Sequence, residues 1–163
     1  MLRRLMAAAD AGDPTVATLI RIAAMTGMRR GELCGLRWSG VDLELGKIVI
    51  RRSVVPTKGG TIEKDTKTHS VRRISLDAAS VSVLAAHQAR AAHVAALLDV
   101  PLAPDAFVFS PDPLGSRPLH PDSVMHAFMR ICARIGVEGV RLHDLRHAHR
   151  GWYSHSWGSR WCR

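Results

Sequence analysis

The chain has 163 residues, of which 47% are hydrophobic and 23% charged, with a net charge of +9. That is room for one ordinary folded domain, and no apolar run approaches the ~18 residues that span a bilayer. Cys34, Cys132 and Cys162 lie far apart with no C-x-x-C pair, which argues against a disulfide framework or a zinc site.

The start, Met1 to Ala9, is basic and apolar, but it is too short for a signal peptide and Asp10 and Asp13 follow at once. The chain reads as intracellular and cytoplasmic. Residues 2–11 predict a short Ala/Leu/Met helix. Asp13-Pro14 predicts a second start, with Asp as N-cap and Pro in the first turn. Its apolar stripe runs through Val16, Leu19, Ile20 and Ile22, and Gly27 ends it. Residues 30–37 predict another helix with Leu33 and Leu36 inward, and the small Gly35 suits close packing.

From Lys47 the period changes. Residues 47–55 are β-branched and strand-like, residues 57–61 predict a turn, and two further strands follow near 61–65 and 72–76. Together they predict a three-stranded antiparallel sheet. Asp77 caps a long helix to about Asp99, with Val81, Leu84, Ala85, Val94, Leu97 and Leu98 as its apolar residues. Residues 100–120 are proline-rich and predict a loop, broken by the apolar Phe107-Val108-Phe109. His120-Pro121 opens a helix through Ile135 that Gly136 ends, and residues 141–149 predict the last one. The fold class is therefore mainly α with a small antiparallel sheet, α+β rather than doubly wound, since no β-α-β alternation is present.

The positive charge is concentrated. Residues 51–76 hold seven basic residues against two acids, and residues 141–163 hold five Arg against Asp144, whereas residues 77–140 are net acidic. A polyanion, nucleic acid first, is the natural partner. Arg51, Arg52, Lys58, Lys64 and Arg72 are the candidate phosphate contacts of the basic strands. Such contacts give affinity and register with little sequence information; the same charges could instead protect a sheet edge.

Two short motifs carry chemistry. His143-Asp144-Leu145-Arg146 sets an imidazole and a guanidinium one helical turn apart. The guanidinium fork suits phosphate oxygens, and the imidazole can exchange a proton near neutral pH. The second motif is Thr26-Gly27-Met28-Arg29-Arg30-Gly31-Glu32-Leu33-Cys34-Gly35-Leu36-Arg37-Trp38. It resembles the first arginine box of the tyrosine recombinases, the phage integrase family. Trp38 to Leu43 resembles that family's helix-to-strand exit, Lys64 to Leu76 its β-hairpin lysine segment, and Leu142 to His147 its second arginine box, all in the family's order.

The resemblance implies a recombinase catalytic domain over residues 1–149. Its activity would be site-specific recombination of double-stranded DNA by phosphodiester strand transfer. A tyrosine attacks the phosphate, and no metal, other cofactor or small-molecule substrate takes part. Arg29 and Arg146 match the phosphate-clamping arginines, Lys67 the general acid and His143 the proton-handling residue. Glu32 and Asp144 match bracing residues, and full-length relatives act as oligomers on DNA. An alternative is a non-catalytic DNA-binding module that keeps the phosphate pocket.

Residues 150–163 depart from the pattern. They hold three of the four Trp and the single Tyr, but no Ala, Leu, Val, Ile or Met. They are expected to form an aberrant or disordered tail, with a frame change or truncation from about residue 150. Tyr153 follows Arg146 by seven residues, too soon for the family's nucleophile, so no nucleophile is assigned and the chain is expected to be catalytically incomplete. His143, His147, His149, His155 and Cys162 match no zinc spacing.

Overall fold

The computed structural model describes residues 2–65 and 71–146. The predicted helices 2–11, 14–26, 77–99 and 121–135 correspond to α1 (Leu2–Asp10), α2 (Pro14–Thr26), α4 (Ala78–Leu97) and α5 (Pro121–Arg134). Between them lie the short α3 (Arg30–Cys34) and strands β1 (Val41–Asp42), β2 (Lys47–Ile50), β3 (Arg52–Thr57), β4 (Gly60–Asp65) and β5 (Arg72–Ser75). A last helical stretch covers residues 142–146. Lys67, Tyr153, the tail 150–163 and the end of the predicted 141–149 helix lie outside the described residues.

The local signals work as chemistry predicts. Asp13 Oδ1 accepts from the backbone N–H groups of Thr15 and Val16 at 2.8 and 2.9 Å, filling two of the unpaired donors at the start of α2. Gly27 closes the same helix in the left-handed region at φ 60°. Asp77 caps α4 by accepting from the Ser80 N–H at 2.7 Å. Helix α4 stops two residues early because Asp99 turns to φ 56°. Of the apolar residues expected along it only Leu84 is fully buried; Leu97 and Leu98 are exposed.

The sheet differs from expectation. Rather than one strand over 47–55 joining two others, the chain breaks at Arg51. Strand β2 pairs with β1 and β5 in a three-stranded antiparallel sheet, and β3 pairs with β4 in a separate ribbon. The cause is steric. The backbone of residues 49–54 runs hard against the segment 31–40, where three glycines admit it. A Cβ on Gly31 would lie 2.6 Å from the Val54 carbonyl oxygen, one on Gly40 2.8 Å from that of Val49, and one on Gly35 3.2 Å from that of Arg52. Ile48, Ile50 and Val54 point into the core, and the break leaves Arg52 outside it.

Helix α3 is shorter than residues 30–37 for a related reason. The Gly35 N–H closes onto Gly31 O at 3.0 Å, after which Arg37 forms an antiparallel bridge with Phe107. Leu33 and Leu36 are buried as expected. The core gathers Leu5 of α1, Leu19, Ile20 and Ile22 of α2, Leu84 of α4 and Phe128 of α5. Phe109 enters it from the proline-rich loop, and Leu142 and Leu145 enter it from the last helical stretch.

Candidate phosphate-binding site

The first arginine box folds as a turn and a short helix because Gly27 takes the left-handed conformation and Met28 drops into the core at 4% exposure. Arg29 then stands just before α3 with its side chain 63% exposed. Its backbone and guanidinium both reach Glu32, whose side chain is 4% exposed. Arg29 N–H donates to Oε2 at 2.8 Å and Nη1 to Oε1 at 2.9 Å. A carboxylate this buried is stable only when paired and hydrogen-bonded. A second cation completes it: Arg72 of β5 donates from Nη1 to Oε2 at 3.2 Å.

The second arginine box reaches the same place from the far end of the described chain. Leu142 and Leu145, one turn apart, are buried, which fixes the orientation of residues 142–146. His143 and Arg146, the next such pair, fall on an adjacent strip, with His143 exposed and Arg146 half-buried. Asp144 accepts from the Arg141 N–H at 2.8 Å and holds the start of this stretch. Arg146 Nη1 donates to the Gly27 carbonyl at 3.1 Å. Arg29, Arg72, Glu32 and Arg146 thus meet around the turn 27–29.

The basic strands present their cations in two ways. Arg51, Lys58 and Lys64 are exposed at the strand break, the ribbon turn and β4. Arg52 is exposed but ion-paired with Glu63 at 3.5 Å, and Arg72 is turned onto Glu32. A further arginine, Arg37, was not singled out by its sequence. Its Nη2 donates to Glu63 Oε1 at 2.7 Å, its Nη1 to the Asp105 carbonyl at 2.5 Å, and its guanidinium lies 4.0 Å from the Phe107 ring centroid. It ties the β3–β4 ribbon to the proline-rich loop. Partners 26 and 68 positions away left no local signal.

Other reactive groups lie elsewhere. Burial pushes the Cys34 thiol up to about 12, so it stays protonated at neutral pH. A cleft of about 600 Å³ is lined by His87, Arg90, Trp38 and the 107–119 loop, and none of Arg29, Glu32, Arg72 and Arg146 lines it. Among the described residues no three His, Cys, Asp or Glu side chains come together as a metal-binding group, and no helix is long and apolar enough to cross a membrane.

The model of the phage integrase family matches residues 1–156, so the match runs seven residues past the expected domain end at 149. Among curated proteins, the chain is 26% identical over 133 residues to the ICEBs1 integrase of Bacillus subtilis strain 168, covering 81% of this chain and 35% of that protein. It is 28% identical over 147 residues to a XerC-like tyrosine recombinase of Caldanaerobacter subterraneus subsp. tengcongensis, covering 80% of this chain and 36% of that one. The chain therefore spans about a third of the length of these relatives. In fold it is similar to the Tn1549 transposon integrase solved with transposon right end DNA. The TM-score is 0.70 at 19% identity, covering 90% of this chain and 49% of that one.

Proposed function

The chain belongs to the phage integrase family, and from that premise we propose that it carries most of the phosphate pocket of a site-specific DNA recombinase, able to bind double-stranded DNA but not to cleave it. The single observation that carries this reading is the bond from Arg146 Nη1 to the Gly27 carbonyl, 3.1 Å long across 119 positions of sequence. It brings the arginine of the second box to within two residues of Arg29. The similarity in fold to an integrase solved with transposon DNA supports DNA as the partner.

The chemistry follows from the side chains. A tyrosine oxygen attacks the phosphorus, the bond from phosphorus to the 5′-oxygen breaks, and a 3′-phosphotyrosyl link forms. Arg29 and Arg146 hold the non-bridging oxygens and stabilise the charge that develops on them, a contribution of ~10²–10³ in rate for each well-placed donor. Lys67 gives a proton to the departing 5′-oxygen, and His143 handles the proton at the attacking hydroxyl. The arginines and lysine supply fixed positive charge without a metal. In this reading Tyr153, the single tyrosine of these 163 residues, is not the attacking group, because it comes only seven residues after Arg146. Strand exchange also needs several copies on one DNA, as the family's full-length members use.

The test combines two gels. The chain is mixed with a nicked suicide duplex and run under native and denaturing conditions. A native shift with no covalent adduct is the expected result. An adduct that disappears in Tyr153→Phe overturns the assignment of an inert tail, and no shift at low salt overturns the DNA-binding reading.

A further inference from the structure

Arg72 stands among the exposed cations of the basic strands by sequence, but its guanidinium points inward. Its Nη1 lies 3.2 Å from Glu32 Oε2, while Arg29 Nη1 lies 2.9 Å from Glu32 Oε1. Two guanidiniums therefore share one carboxylate that is 4% exposed. Electrostatics gives this arrangement a consequence. With Arg29 alone on Glu32, the pair would be close to neutral and would attract a phosphate weakly. A second guanidinium on the other oxygen leaves the group of three with one net positive charge. It also occupies the carboxylate, so donors of the Arg29 fork stay directed to solvent, where the Arg29 side chain is 63% exposed.

The backbone fixes Arg72 in this role. It stands opposite Ile50 in the register of β2 and β5, and Ile50 is buried at 1% exposure. The strand that carries Arg72 is therefore pinned to the core.

We propose that Arg72 is a positioning residue of the phosphate pocket: acting through Glu32, it keeps Arg29 oriented and electrostatically available, without itself touching the phosphate. The proposal rests on the reading that Arg29 contacts DNA phosphate. It separates Arg72 from Arg51, Lys58 and Lys64, whose contacts with DNA would be direct and independent of Arg29.

The test is a double-mutant cycle on DNA affinity. Binding of the full chain to a fluorescein-labelled 20-base-pair duplex is followed by anisotropy, for wild type, Arg72→Gln, Arg29→Ala and the double variant. Arg72→Gln is expected to weaken binding in the wild-type background by between about 2- and 100-fold, the span of coupling within one ion-pair network. In the Arg29→Ala background its effect is expected to vanish. Equal losses in both backgrounds mean an independent contact and overturn the proposal, as does no loss in the wild-type background. Arg72→Lys keeps the charge and is expected to lose less than Arg72→Gln. It carries the same cycle if Arg72→Gln fails to melt cooperatively, and equal loss in the two variants overturns the electrostatic argument. A wild-type chain that gives no anisotropy change overturns the DNA-binding reading itself, and the inference with it.

Discussion

Arg146 Nη1 donates to the carbonyl oxygen of Gly27 at 3.1 Å, so the last described helical stretch is clamped to the turn that carries Arg29. The carbonyl is available because Gly27 ends α2 in the left-handed conformation. The same bond that orients Arg146 therefore supports the entry to α3.

Arg146→Ala is expected to lower both DNA affinity and stability. A hydrogen bond from a charged donor contributes about 1.5–3 kcal/mol, and half-burial places this one at the lower end, so a loss of about 1.5 kcal/mol and a fall of about 3–6 °C in Tm are expected. Arg146→Lys, which keeps the charge but not the planar fork, is expected to retain part of the stability and little of the affinity. Thermal melts followed by circular dichroism, set beside anisotropy titrations, check both; an unchanged Tm in Arg146→Ala would contradict the clamp.

Gly31→Ala separates helix propensity from packing. Alanine is worth about 1 kcal/mol over glycine in a helix, but its Cβ would meet Ser53 Oγ at 2.5 Å and the Val54 carbonyl oxygen at 2.6 Å. Backbone cannot swing aside as a flexible side chain can, so the contact wins, at a net cost of about 1–3 kcal/mol. Gly59→Ala is the control, since nothing lies within 4 Å of its Cβ position. Urea midpoints should fall for the first variant and stay within error for the second.

The contrast between these glycines shows what the sequence could reveal. Caps and stops are local chemistry, so Asp13, Gly27 and Asp77 could be placed from their neighbours in the chain. The strand break at Arg51 could not be foreseen, because its cause is the approach of residues 31–40 to residues 49–54, a tertiary contact. Arg72 shows the same limit: its charge was legible, but its attachment to a carboxylate 40 positions earlier was not. Residue type indicated affinity for phosphate, and only the fold divided the cations into those facing solvent and those tied to Glu32 or Glu63.

Exposed cations have a measurable signature in salt. Each phosphate neutralised on duplex DNA contributes about 0.9 to the slope of log K against log salt concentration. Arg51→Ala, Lys58→Ala and Lys64→Ala should each lower that slope by up to about 0.9, similarly for unrelated DNA sequences. Arg52, already paired with Glu63, should lower it less. Titrations between 50 and 200 mM salt check this, and a flat wild-type dependence would remove the basic ribbon from the DNA interface.

His87 gives a pH dependence of stability that is separate from DNA binding. Its ring is buried against Phe109, with centroids 5.6 Å apart, and Nε2 lies 2.7 Å from the Val108 carbonyl oxygen. Nε2 therefore donates there, and Nδ1 accepts from Arg90 Nη2 at 3.3 Å. Protonating Nδ1 would replace that acceptor with a donor and set a positive ring against a guanidinium. Burial, chiefly, holds the imidazole below its ordinary value of 6.5. In the unfolded chain the group titrates near that ordinary value, so between the two values the unfolded state binds the extra proton and stability rises with pH. The stabilisation is fully present above about pH 6.5. It is lost as pH falls through that point and levels off below the folded-state value. His87→Gln keeps a donor for Val108 but cannot titrate. Its urea midpoint should be lower than wild type at pH 7.5, and the difference should narrow by pH 5. A constant difference across that range would mean that His87 is not the group whose protonation weakens the fold.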